Sequence, residues 1–107
     1  MVEWDGSAWD DPPEHVLREL LAALGPENRF VIVERMDLRP PGQNYMQVYA
    51  NDDGSYQVEF RDGGAERHYE SQVPKADKMI EVIADYALER SGWRDSLKWT
   101  RCALDRG

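Results

Sequence analysis

The sequence predicts an α+β fold in two layers, with a helix before and a helix after an antiparallel meander (α-β-β-β-β-α). Two segments, "DPPEHVLRELLAALGP" and "VPKADKMIEVIADYALERSG", carry apolar residues at helical spacing. Between them lie short runs of strand composition, "RFVIVERM", "NYMQVYAN", "SYQVEFRD" and "AERHYESQ", divided by turns rich in Gly, Pro and Asp. At 107 residues the chain has room for one core and not for two. A helix pair covering one sheet face is the simplest way to bury both apolar stripes. The expected organisation is a single three- to four-stranded domain over residues 1–107, with 1–10 and 101–107 as tails.

The first helix has a start, a stripe and a stop. Asp11 suits the N-cap, Pro12 the first helical position, and Glu14 completes a capping box. Val16, Leu17, Leu20, Leu21 and Leu24 then form the stripe, and Gly25-Pro26 ends it. The next run is apolar on both faces from Phe30 to Val33, as in a strand that is central or covered on both sides. "DLRPPGQ" is a loop.

Register decides how the following strands meet at "NDDGSYQVEFRDGG". A two-residue turn at Asp53-Gly54 would mix polar and apolar groups on each face. A three-residue loop, Asp52-Asp53-Gly54, with Gly54 left-handed at a bulge, pairs Val48 with Val58 and Met46 with Phe60. A slip of one residue would turn the whole apolar set outward, so the longer loop is selected. At "RDGGAE" a two-residue loop, Gly63-Gly64, sets Arg61 opposite Glu66 and Glu59 opposite His68. The last strand is charged and short, as edges are. In the second helix Ala76, Met79, Ile80, Ile83 and Ala87 make the stripe, and Gly92 ends it. The core expected from these faces joins Leu20, Leu21, Val58, Phe60, Ile80 and Ile83.

The opposite sheet face then carries Tyr45, Gln47, Tyr49, Gln57, Glu59, Arg61, Glu66, His68 and Glu70. Large rings at Tyr45 and Tyr49 beside an apolar first strand, with a polar rim, have the composition of a recognition patch. Trp4, Trp9, Trp93 and Trp99 all lie near the chain ends, the last two placed to pack against the helices and the first two candidates to cover the sheet.

Charge and composition exclude whole classes. A net charge of −8 opposes binding to a phosphate backbone or an anionic lipid surface and favours encounter with a basic protein. The single cysteine, Cys102, allows no internal disulfide. The start "MVEWDGSAWDD" lacks the basic and apolar regions of a signal peptide, and no run reaches the roughly 20 apolar residues of a membrane span. A cytoplasmic location is the expectation.

Little points to catalysis. His15 sits in the exposed first turn of a helix. His68, among Glu59, Glu66 and Glu70, is the better general-base candidate, but it is one histidine where a metal site wants several convergent ligands. Cys102 has no histidine near it in sequence. No G-x-S-x-G elbow, dinucleotide fingerprint or P-loop occurs, and "DGGAE" is a hairpin turn. No cofactor is expected.

The run "YMQVYANDDGSYQVEFRDG", with "RHYES" downstream and "GWRDSLKW" near the end, resembles small uncharacterised α+β proteins common in actinobacteria. The architecture is also similar, without a shared motif, to secretion-chaperone-like folds and to immunity proteins of toxin systems. The resemblance implies a family and no activity. The expectation from the residues is a non-enzymatic protein-binding module acting through Tyr45, Gln47, Tyr49, Glu59, Arg61 and His68, on a second copy or a different protein. The alternative is a small-ligand or enzymatic site around His68 and Glu59.

Overall fold

The computed structural model describes residues 2–3, 12–35, 38 and 42–101. Its strands are β1 (Val2–Glu3), β2 (Phe30–Glu34), β3 (Asn44–Ala50), β4 (Tyr56–Asp62), β5 (His68–Val73) and β6 (Thr100–Arg101), lying side by side in chain order as one antiparallel sheet. The helices are α1 (Glu14–Ala22), α2 (Ala76–Ala87) and the short α3 (Trp93–Ser96). The fold is the α+β arrangement the sequence predicts. Four central strands are extended by two-residue strands at either edge, so the sheet reaches into both segments expected as tails.

The β3–β4 hairpin has the predicted register. Met46 faces Phe60, Val48 faces Val58 and Ala50 faces Tyr56. Asn51 N–H bonds to Ser55 C=O at 2.8 Å, leaving Asp52, Asp53 and Gly54 as the loop, and Gly54 has φ +90°. Asp53 braces the turn by accepting from the Ser55 hydroxyl at 2.6 Å and its N–H at 2.9 Å. Those two bonds hold the Asp53 carboxyl below its ordinary range.

The β4–β5 register departs from expectation by two residues. Arg61 faces His68, Glu59 faces Glu70 and Phe60 faces Tyr69. Gly63 N–H is committed to Gln43 C=O at 2.8 Å, which prolongs the β3–β4 ladder past Asp62. The chain therefore cannot reverse at Gly63-Gly64, and a 3₁₀ turn at Ala65–Arg67 makes the connection. Glu66 moves into that exposed turn and off the sheet face. A two-residue shift preserves the faces, so the core partition survives it.

α1 also begins later than the capping box implies. Pro13 occupies the N-cap position, with no side-chain cap bond, and Asp11 lies outside the described residues. Glu14 instead holds Arg18 at 2.9 Å and Arg90 at 2.6 Å, tying α1 to the chain beyond α2. Hydrogen bonds from Arg18 and then Arg90 keep its carboxyl below the usual range.

α2 packs on β2 to β5, and α1 packs on α2. The core they close contains Leu17, Leu21, Val31, Met46, Val48, Val58, Phe60, Val73, Met79, Val82, Ile83 and Tyr86. Leu20 and Ile80, expected inside, are half-buried. α1 buries Leu17 and Leu21, while α2 buries Met79, Val82, Ile83, Ala84 and Tyr86, so its inner face is rotated away from the expected stripe and leaves Ile80 at the margin. Trp93 and Trp99 pack against the core at Phe60, with ring centroids at 4.6 and 5.9 Å. Trp4 and Trp9 lie outside the described residues.

Candidate functional site

Alternation along β2 to β5 sends Tyr45, Gln47, Tyr49, Gln57, Glu59, Arg61, His68 and Glu70 to the face opposite α2, the face predicted for them, and sets Ile32 of β2 beside Gln47 there. The six proposed partner-binding residues therefore share one surface. It divides into two halves of different character.

Over β4 and β5 the side chains form one continuous hydrogen-bonded ladder. Asn51 Nδ2 donates to Gln72 Oε1 at 3.1 Å, and Gln72 Nε2 to Gln57 Oε1 at 3.2 Å. Gln57 Nε2 donates to Glu59 Oε2 at 2.8 Å and reaches Glu70 Oε1 at 3.4 Å, bridging two carboxylates that face each other across the strands. From the other end, Arg61 Nη1 donates to Gln43 Oε1 at 2.8 Å and Arg61 Nε to His68 Nδ1 at 3.0 Å. His68 Nε2 completes the run at Glu59 Oε1, 2.8 Å away. Glu59 is thus the acceptor on which both directions converge. Such a ladder fixes rotamers that would otherwise be lost on binding a partner.

His68 is only 6% exposed. The Tyr45 ring meets it edge-on at 5.9 Å, while the Arg61 guanidinium lies 5.6 Å from the Tyr45 ring centroid. Both imidazole nitrogens are engaged, so the geometry makes His68 a linker between Glu59 and Arg61. The Glu59–His68 contact anticipated as a directly opposite pair is made on the diagonal.

Over β2 and β3 the surface is apolar and aromatic. Ile32 and Tyr45 are half-buried, and Tyr49 is 39% exposed, one of two large hydrophobic side chains so open among the described residues. Arg29 stands 6.0 Å from the Tyr49 ring and pairs with Asp52 at 2.7 Å.

A second feature was missed in the sequence. Where β2, β3 and β4 end below α2 and α3, a cleft of about 280 Å³ opens, walled by Phe60, Tyr86 and Trp93. Arg35, Arg61, Arg90 and Arg94 line it. These arginines come from separate segments, and no local spacing marks them as a group. Among the described residues no three His, Cys, Asp or Glu side chains gather as a metal site, and no helix is long and apolar enough to cross a membrane.

In comparisons with known proteins, no family model matches the chain, and no curated protein or solved structure matches it significantly.

Proposed function

We propose that this chain is a protein-binding module whose outer sheet face docks a partner with a basic surface. The observation that carries the reading is Tyr49, an open ring on the face opposite the helices, beside a hydrogen-bonded polar ladder. Binding energy concentrates in a few aromatic and Arg anchors ringed by polar groups, the composition found here. Charge selects the class of partner. A chain of net charge −8, with Glu34, Glu59 and Glu70 on this face, repels a second copy and attracts a cationic surface. An immunity- or chaperone-like role is one version of this reading, supported by the chain's acidity.

The test uses immobilised wild-type chain and Tyr49→Ala in parallel, with native cell extract eluted in a salt gradient and light scattering on each protein. The expected result is a captured protein of basic pI, released by salt, that Tyr49→Ala no longer retains while its melting temperature stays within a few degrees. Capture unchanged by Tyr49→Ala, or a wild-type homodimer that the substitution splits, would overturn the basic-partner reading.

A further inference from the structure

We propose that His68 is a proton-operated switch in the outer face: when its ring takes up a second proton, Arg61 is released from the ladder while Glu59 keeps the imidazolium. In the neutral ring Nδ1 accepts from Arg61 Nε at 3.0 Å, and Nε2 lies 2.8 Å from Glu59 Oε1. A guanidinium has no acceptor to offer and keeps its charge, so a proton on Nδ1 sets one N–H against another and brings two like charges into contact. His68 is only 6% exposed, which leaves little water to screen them. Glu59 responds the other way, because an imidazolium donates to a carboxylate more strongly than a neutral ring does. The proton that strengthens one arm of the ladder breaks the other.

The surroundings decide which group yields. Among the described residues, β3 presents Tyr45 to the imidazole, edge-on at 5.9 Å, and β4 presents Glu59 and Arg61. Glu70 follows two residues along β5 on the same face, and β6 sets the uncharged Thr100 opposite it. Glu66 and Arg67 lie in the exposed turn before the strand. The imidazole is enclosed, whereas Arg61 is half-buried on a flexible stem. On leaving Nδ1 it still has Gln43 Oε1, 2.8 Å from its Nη1, and the Tyr45 ring, 5.6 Å from the guanidinium carbon. The guanidinium moves and the ring stays. The face gains one positive charge and loses the link between its Gln43 end and Glu59. The consequence for docking rests on the outer-face reading: a basic partner is held less strongly as the pH falls.

The experiment follows the ¹³C,¹⁵N-labelled full chain by NMR from about pH 8 to about pH 5, the span in which histidine can change charge. The signals are the imidazole nitrogens of His68, with the exposed His15 as internal reference, and the side-chain Nε–H of Arg61. As the second proton appears on His68, protection of the Arg61 Nε–H from solvent exchange should fall roughly tenfold or more, the effect of losing one hydrogen bond. The fall is measured at each pH against His68→Gln, whose amide can accept from Arg61 and donate to Glu59 without titrating. Where His68→Gln fails to fold, the exposed Arg67 Nε–H of the wild-type chain is the reference. These spectra need no partner, so the switch and the outer-face reading fail separately. A His68 ring still neutral at the acid end, a doubly protonated ring with Arg61 protection retained, or the same loss in His68→Gln would overturn the proposal.

Discussion

Arg61 Nε and His68 Nδ1 lie 3.0 Å apart across the β4–β5 pair, and only one of them can donate. A guanidinium carries no acceptor, so Nδ1 is the unprotonated nitrogen and the ring proton sits on Nε2, directed at Glu59. The expected ¹⁵N spectrum of the folded chain shows a pyrrole-type Nε2 and a pyridine-type Nδ1 for His68. A proton found on Nδ1 would break the ladder at its middle.

Gly54 tests the first hairpin. With φ +90° it occupies a conformation open to glycine and strained for a β-branched residue, yet an added Cβ would meet nothing within 4 Å. Gly54→Val should therefore destabilise the fold by more than about 1 kcal/mol through the backbone alone. Equal melting temperatures for the two proteins would contradict the loop geometry.

Phe60 joins the sheet to the C-terminal segment. It is 5% exposed and touches Tyr69, Tyr86, Trp93 and Trp99. Phe60→Ala should lower stability by about 3–5 kcal/mol and shift tryptophan emission to the red as Trp93 and Trp99 lose their packing. Denaturant titration followed by fluorescence measures both effects. A midpoint unchanged from wild type would reverse the face assignment.

The end of α2 gives a paired comparison. Glu89 has φ +61°, the position where glycine usually closes a helix, with Arg90 N–H bonded to Asp85 C=O at 2.8 Å and Glu89 N–H to Tyr86 C=O at 3.3 Å. Glu89→Ala and Glu89→Gly both lose the ion pair with Arg35. Only the glycine relieves the left-handed backbone, so it should be the more stable of the two by about 1 kcal/mol. Identical thermal unfolding of the two variants would show that the strain is absent.

The fold class, the three-residue loop at Asp52-Asp53-Gly54 and the division of β3 and β4 into a core face and an outer face were all legible in the sequence. Each rests on neighbours in the chain: a glycine where φ must be positive, apolar residues at a period of two, and a stripe at helical spacing. Tertiary structure decided the rest. The bond from Gly63 to Gln43 moved the β4–β5 register by two residues, which set Arg61 against His68 and brought Glu59 to the diagonal. The late start of α1 left Glu14 to bind Arg18 and Arg90 instead of capping the helix. The arginine cleft exists because the ends of three strands and of α2 converge at one end of the sheet. Local sequence encodes turns and faces through short-range sterics and periodicity. Register and convergence depend on hydrogen bonds and packing between residues far apart in the chain, which no local pattern specifies.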